Sequence, residues 1–340
     1  MHHGRRLIFV LALLLLLLPA TLAESFEATD QPLDLQGATG DTAQWLEAFS
    51  NSPQTFAYTI TAPQPDRTIS MSRVKFDSPF QSPFPENNVV PGELYLPQRT
   101  TGKIPGVIVL DILQGNALLP RMMARWLARE GIAALYISMP YYNERRPKGG
   151  AHERMLSDDP RVSIQALRQT VMDIRRAKSL LASHPEIDPE KIGITGISLG
   201  GIMTALAAGV DGHFYRVVPI LSGGDLASIV FKAPETRRVR ESLPAKGITQ
   251  TDLAKFFAPV EPLNFASRIH PETCLMINAQ NDETIPKANA EALAKAIGGP
   301  TVIWSPLGHI DSVIYLPNIL QKTADFFNGK SVEGLEMHAK

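Results

Sequence analysis

The chain has 340 residues, 44% of them hydrophobic and 20% charged, a composition that excludes a mostly disordered protein. Its 33 basic and 34 acidic residues nearly balance, and the absence of a long basic block argues against a nucleic-acid partner. A single domain of about 250 residues with an N-terminal extension fits this length, and so do two domains of equal size.

The first 23 residues are typical of an export signal. Arg5 and Arg6 precede an apolar run over residues 7–18, and Pro19 and small residues ending at Ala23 follow it. The run of about 12 residues is shorter than the roughly 20 that a membrane-spanning helix needs. We therefore expect cleavage near Ala23, a secreted or periplasmic protein and no stable membrane insertion afterwards. The alternative is an uncleaved anchor.

Residues 24–90 are predicted to form an N-terminal extension with lead-in strands. Residues 58–61 and 69–74 alternate polar and apolar side chains, as half-buried strands do, and residues 42–49 indicate a short helix. Residues 93–96 predict one further strand. These segments together suggest an antiparallel lead-in to a sheet.

Residues 91–330 are predicted to form a catalytic domain, and residues 331–340 a tail. From Pro105 onwards, continuous apolar runs of the kind found in strands buried on both faces alternate with segments of helical periodicity. The strand-like runs cover residues 107–110, 132–137, 192–195, 217–221, 275–278 and 301–304. This alternation predicts an α/β protein with a mostly parallel, doubly wound sheet.

Residues 223–263 depart from that alternation. They contain the basic run Arg237-Arg238-Val239-Arg240 and a predicted helix at residues 251–257. We interpret the segment as a small helical cap inserted over the carboxyl edge of the sheet, where such folds bind ligands. The alternative is a long connection that does not touch the substrate.

A G-x-S-x-G motif, Gly196-Ile197-Ser198-Leu199-Gly200, follows a strand directly and opens a predicted helix. This strand–turn–helix context is the one that a nucleophile elbow requires, because the glycines leave room for a cramped turn that exposes the serine. We therefore predict that Ser198 is a nucleophile and that the backbone N–H of Leu199 donates to a developing oxyanion.

A serine nucleophile needs a base and an acid that orients the base, and in this fold they follow the serine in the order acid, then histidine. Asp282 comes just after the strand at residues 275–278, with Glu283 as the adjacent alternative. His309 lies in the loop between the strand at residues 301–304 and the last helix. The predicted triad is Ser198, Asp282 and His309.

The second oxyanion donor is expected in the loop after residues 107–110. We assign it to the backbone N–H of Ile112, with Leu113 as the neighbouring alternative and a candidate pocket residue. In the loop after the next strand, Tyr141 is a candidate for lining the substrate pocket and Arg145 for binding a substrate carboxylate. The alternative for both is a solvated surface loop.

No cofactor or metal is predicted, because the sequence lacks metal-ligand spacings and phosphate-cradling glycine patterns in the correct context. The single cysteine, Cys274, lies in an apolar run, where a buried inert thiol is expected.

Residues 107–116, with Asp111-Ile112 at a strand end, and residues 126–134 resemble the dienelactone hydrolase family of the α/β-hydrolase superfamily. The resemblance covers roughly residues 90–330 and implies an α/β-hydrolase fold with Ile112 and Leu199 as oxyanion donors. Members of that family carry cysteine at the elbow, where this chain has Ser198.

The expected activity is hydrolysis of small-molecule or polymer-linked carboxylic esters by an exported serine hydrolase. The first alternative is a peptidase or acyl-aminoacyl hydrolase with the same triad, and the second is a non-catalytic binding protein of this fold.

Overall fold

A computed structural model describes residues 23–50, 52–113, 115–148 and 154–332 of the chain. The predicted export signal therefore lies outside the described residues except for Ala23, and so does most of the predicted tail.

The described strands form one mixed sheet in the order β1-β2-β4-β5-β7-β6-β8-β9-β10-β11, with β3 paired to β4. The strands are β1 (Ala23–Thr29), β2 (Thr55–Thr61), β3 (Gln64–Asp66), β4 (Ile69–Asp77), β5 (Val89–Pro97), β6 (Ile104–Leu110), β7 (Ala133–Ile137), β8 (Ile187–Ile197), β9 (Val217–Ile220), β10 (Leu275–Ala279) and β11 (Thr301–Ser305). The pairs from β1 to β5 are antiparallel, as is β5 with β7, whereas β7, β6, β8, β9, β10 and β11 run parallel. The predicted lead-in and the predicted parallel sheet thus form one continuous structure.

Helices connect most of the parallel strands and cover both faces of the sheet. They are α1 (Gly40–Glu47), α2 (Leu118–Arg129), α3 (Pro160–Ser183), α4 (Leu199–Asp211), α5 (Leu226–Lys232), α6 (Arg237–Ser242), α7 (Gln250–Phe257), α8 (Lys287–Ile297) and α9 (Leu316–Phe327). None of the described helices combines the length and the apolar composition that crossing a membrane requires.

Alternate side chains of the buried strands enter two separate cores, one on each face of the sheet. In β6, Ile108 and Leu110 pack with α3 and α4, whereas Val107 and Val109 pack with α2 and α9. Because successive side chains of a strand point to opposite faces, a strand covered on both sides reads as a continuous apolar run. The predicted doubly wound α/β class is confirmed.

The N-terminal extension contains two strands that the sequence pattern did not indicate, the three-residue β3 and the longer β1. Strand β1 pairs antiparallel with β2 at the edge of the sheet, and of its seven residues only Ala28 is buried. An edge strand with exposed side chains has no apolar periodicity to detect.

Residues 223–263 fold into α5, α6, α7 and short 3-10 turns. The apolar side chains of α5 and α7, among them Ile229, Leu253 and Phe257, join the core that contains α3 and α4. Most of the segment therefore packs against the body of the domain.

Candidate active site

The turn at Ser198 adopts a backbone conformation that depends on glycine neighbours. Ser198 joins β8 to α4 with φ 57° and ψ −118°, outside the ordinary helical and extended regions. A Cβ atom at Gly196 would lie 2.5 Å from the backbone of Gly200, and one at Gly200 would lie 2.6 Å from the carbonyl oxygen of Asp111. Both positions therefore require glycine, as the motif suggested.

The structure brings Ser198, His309 and Asp282 together from three loops at the carboxyl edge of the sheet. The Nε2 atom of His309 lies 2.9 Å from Ser198 Oγ, and its Nδ1 atom lies 2.7 Å from Asp282 Oδ2. In this arrangement the serine hydroxyl is hydrogen-bonded to an imidazole, and the imidazole is hydrogen-bonded to a carboxylate. Such an arrangement activates a serine as a nucleophile.

The loop after β10 gives its two adjacent acidic residues different contacts. Asp282 is buried, and its Oδ1 atom accepts backbone N–H groups from Thr284 at 2.9 Å and Ile285 at 2.7 Å. Glu283 is exposed, and its Oε2 atom accepts the backbone N–H of His309 at 3.3 Å. Asp282 therefore contacts the imidazole ring, and Glu283 holds the loop that carries it.

The backbone N–H groups of the two predicted oxyanion donors differ in their hydrogen bonding. Leu199 is the first residue of α4, where a backbone N–H has no acceptor in a preceding helical turn. The N–H of Ile112 instead donates to Oδ1 of the preceding residue, Asp111, at 2.8 Å. In this structure a carboxylate therefore occupies the Ile112 donor.

Asp111 is fully buried at the end of β6 and organises the loop that carries Ile112. Its Oδ2 atom accepts the hydroxyl of Tyr136 at 3.0 Å and lies 3.5 Å from the amide nitrogen of Asn143. Burial raises the pKa of Asp111 above its ordinary value of 3.8, and burial together with Asp111 raises the pKa of Tyr136. The sequence pattern indicated that Asp111 follows a strand, but nothing in it predicted the hydrogen bond to the backbone N–H of Ile112.

An apolar cavity of about 330 Å³ opens beside Ser198 and His309. Its apolar walls include Leu113, Leu119, Ile220, Leu221, Leu316 and Ile319. The predicted pocket residue Leu113 is therefore brought to the site.

The segment at residues 223–263 contributes Glu235 to the lining of this cavity. Glu235 is exposed, and its Oε1 atom accepts the hydroxyl of Thr284 at 3.0 Å. The sequence offered no signal for it, because an acidic residue in a polar insertion resembles any solvated side chain.

The other two predicted pocket residues are placed elsewhere, which corrects the prediction. Arg145 is fully buried and donates to Asp173 at 2.8 Å and to the carbonyl oxygen of Ser138 at 2.9 Å. Tyr141 is buried in the main core with its ring against Phe84, and it does not line the cavity. Both side chains stabilise the loop after β7 instead of facing a substrate.

The remaining nucleophile considered in the sequence, Cys274, is buried, and burial raises the pKa of its thiol. Within the described residues no three His, Cys, Asp or Glu side chains are grouped so that they could hold a metal ion.

The family described as "Alpha/beta hydrolase domain containing 18" matches residues 40–238, more than half of the chain. The uncharacterized protein YdjC of Bacillus subtilis (strain 168) is 24% identical over 116 residues, which is 34% of this chain and 100% of that protein. A probable 2-oxo-3-(5-oxofuran-2-ylidene)propanoate lactonase of Bradyrhizobium sp. is 28% identical over 110 residues, 32% of this chain and 42% of the lactonase.

Solved structures share the architecture over most of their length. The acetyl xylan esterase from Paenibacillus sp. R4 has a TM-score of 0.65 and 21% identity, covering 84% of this chain and 95% of that one. Acetyl xylan esterase 1 from Thermoanaerobacterium sp. JW/SL YS485 has a TM-score of 0.65 and 15% identity, covering 86% and 96%. A putative dienelactone hydrolase from Klebsiella pneumoniae subsp. pneumoniae has a TM-score of 0.51 and 18% identity, covering 76% and 98%. At these identities the likeness concerns the fold, and the predicted α/β-hydrolase fold and resemblance are confirmed.

Proposed function

The chain belongs to the alpha/beta hydrolase domain containing 18 family, and on that premise we propose that it is a serine hydrolase that cleaves carboxylic esters. The observation that carries the proposal is the hydrogen-bonded series from Ser198 through His309 to Asp282. The names of two structural neighbours, both acetyl xylan esterases, support an ester as the substrate, whether a small molecule or one linked to a polymer.

In the proposed reaction, Nε2 of His309 accepts the proton of Ser198 Oγ as that oxygen attacks the ester carbonyl carbon. His309 then donates this proton to the departing alcohol, which leaves an acyl group on Ser198. A water molecule, deprotonated by His309, attacks the acyl-enzyme and releases the acid. Asp282 keeps the imidazole oriented and stabilises its protonated form throughout.

Negative charge on the carbonyl oxygen is stabilised by backbone donors. The N–H of Leu199 lies at the start of α4, where the helix dipole adds favourable potential. The N–H of Ile112 joins it once its bond to the carboxylate of Asp111 is exchanged for one to the oxyanion. Each such donor contributes about 2.7–4 kcal/mol to transition-state stabilisation.

The test is the Ser198→Ala variant, assayed on short p-nitrophenyl esters and labelled with a fluorophosphonate probe. We expect kcat to fall by about 10⁶-fold and labelling to disappear, because the variant lacks the attacking oxygen. Retained hydrolysis by a folded variant would overturn the proposed mechanism. A wild-type protein that neither hydrolyses esters nor reacts with the probe would favour a non-catalytic binding role.

We also propose that the protein is exported, on the basis of its first 23 residues. The full chain expressed in a Gram-negative host should appear in the periplasm or medium with a new N-terminus near Glu24. N-terminal sequencing of the fractionated protein tests this, and an intact N-terminus in the cytoplasmic fraction would contradict it.

A further inference from the structure

We propose that the cavity beside Ser198 binds an apolar chain of about eight to ten carbon atoms in a neutral ester substrate. This inference rests on the proposed ester hydrolysis and specifies its substrate class. Four properties of the cavity carry it: the chemistry of its walls, its volume, its charge and the exposed apolar surface at its mouth.

The walls bring apolar side chains together from separate parts of the fold. Leu113 and Leu119 come from the segment between β6 and the first turn of α2, and Leu316 and Ile319 come from α9. Side chains of this kind gain free energy when they exchange contact with water for contact with hydrocarbon. Since Ser198 lines the same cavity, a chain lying there remains next to the reacting oxygen.

The volume of about 330 Å³ exceeds what a small acyl group needs. An apolar protein cavity of about 150 Å³ accommodates benzene, so this one has room for roughly a dozen carbon atoms. An acetyl group would leave most of it unfilled. A chain of about eight to ten carbon atoms would occupy it without extending far into solvent.

The charges around the cavity exclude an anionic chain. Its lining contains no Lys or Arg among the described residues, and its only carboxylate is that of Glu235. Arg145, the predicted carboxylate ligand, is committed to Asp173 in the core. A carboxylate carried into this cavity would lose its hydration without gaining a lysine or arginine partner.

The mouth of the cavity exposes apolar surface that a chain would cover. Ile310 and Val313 line the cavity and are 69% and 54% exposed. Large apolar side chains grouped at the entrance of a cleft mark a ligand-binding surface more often than chance exposure does.

Two ester series on the wild-type enzyme test the proposal and determine which part of the ester holds the chain. The first extends the acyl group of p-nitrophenyl esters from acetate to octanoate, and the second extends the alcohol of alkyl acetates from ethyl to octyl. All concentrations are kept below micelle formation. We expect kcat/KM in one series to rise by up to about fourfold per CH2 group, the free-energy gain of burying a methylene. A rise in the first series assigns the cavity to the acyl chain, and a rise in the second assigns it to the alcohol.

A charged analogue tests the exclusion of anions. The monoester of suberic acid with p-nitrophenol has the eight-carbon acyl chain of the octanoate with a carboxylate at its end. If the cavity holds the acyl chain, this ester should react at least about 100-fold more slowly than the octanoate because its charge must be desolvated. If the cavity holds the alcohol, the same comparison is made between octyl acetate and an acetate whose alkyl chain ends in a carboxylate.

A matched pair of variants locates the effect in the cavity. Val313 and Ile314 are neighbours in the 3-10 turn Asp311–Tyr315, both are largely exposed, and only Val313 lines the cavity. Val313→Asp should lower the ratio of kcat/KM for the long-chain ester to that for the short-chain ester by about tenfold or more, because a chain must desolvate the new carboxylate. Ile314→Asp should leave that ratio as in the wild type.

The outcomes separate this inference from the proposed function. If wild-type enzyme cleaves esters and is labelled at Ser198 but shows no chain-length preference in either series, the substrate class is wrong while the serine mechanism stands. Equal effects of the two aspartate variants would likewise overturn the cavity assignment. If no ester is cleaved and no probe is bound, the proposed function itself has failed.

Discussion

The loops after β7 and β11 lie at the same edge of the sheet, because both strands belong to its parallel part and their carboxyl ends point the same way. The loop after β11 carries His309, whose side chain is 10% exposed beside an apolar cavity. The loop after β7 carries Arg145, whose side chain is 0% exposed. Position at a strand end is therefore shared by a candidate catalytic group and by a structural one.

The two groups differ in where their hydrogen bonds lead. From Asp282 the bonds pass through His309 to Ser198 Oγ, which borders the cavity. From Arg145 they pass to Asp173 and to backbone carbonyl oxygens, all within the protein. A hydrogen-bond network that ends at a cavity can act on a bound substrate. The network around Arg145, here called the closed network, ends on groups inside the protein, so we expect it to stabilise the fold. Mutations in the first network should therefore change catalytic activity, and mutations in the second should change the free energy of unfolding.

The largest effect on activity beyond removal of the nucleophile is expected from Asp282→Asn. The amide cannot hold the imidazole in the orientation and tautomer that accept the Ser198 proton, so kcat should fall by about 10⁴-fold. Ester hydrolysis under saturating substrate measures this, and circular dichroism checks that the variant is folded.

Glu283→Gln is the matched control for that variant. Glu283 contacts the backbone N–H of His309 and not its ring, so one hydrogen bond is weakened and the loss should be about fivefold. Similar losses in the two variants would contradict the assignment of Asp282 as the orienting acid.

The closed network is tested by Arg145→Met, which leaves the carboxylate of Asp173 buried without its guanidinium partner. We expect the free energy of unfolding to fall by about 3–5 kcal/mol, as measured by urea titration. The kcat/KM of the protein that remains folded should not change, because Arg145 does not line the cavity.

Two comparisons sharpen this stability prediction. Arg146→Met removes the exposed neighbouring arginine and should alter the free energy of unfolding by no more than about 0.5 kcal/mol. The double variant Arg145→Met with Asp173→Leu removes both charges and should be more stable than Arg145→Met alone. A reduced kcat/KM with unchanged stability in Arg145→Met would restore the original prediction that this residue binds substrate.

The sequence was most informative where local rules act. The parallel strands were predicted because burial on both faces makes them continuously apolar, and Ser198 was predicted because a cramped turn demands Gly196 and Gly200 around it. Asp282 and His309 followed from their places after β10 and β11. In each case the residues that form the sequence signal lie within a few positions of the residue that they predict.

The sequence was least informative where distant residues decide the outcome. The role of Arg145 depends on Asp173, which lies 28 residues further along the chain, on α3. The strand β1 owes its place to pairing with β2 at the sheet edge and not to its own pattern. The hydrogen bond of the Ile112 N–H depends on the orientation of the buried carboxylate of Asp111, which composition and residue spacing do not determine.

The buried carboxylate of Asp111 shares one feature with each of the two networks. Asp111 is enclosed like Arg145, yet it holds the N–H of Ile112 at the edge of the cavity. Burial raises its pKa above 3.8, so the native state binds the proton more tightly than the unfolded state does. The resulting stability is fully present below the unfolded-state pKa and is lost as pH rises through the native-state pKa.

The Asp111→Asn variant does not titrate, so its free energy of unfolding should rise relative to that of the wild type as pH increases through this window. A native pKa higher by one pH unit corresponds to a difference of about 1.4 kcal/mol. Urea titrations of both proteins at a series of pH values from below 3.8 to neutrality measure it. Parallel stability profiles would show that Asp111 titrates alike in both states, which would mean that its hydrogen bonds to Tyr136 and Ile112 offset the effect of burial on its pKa.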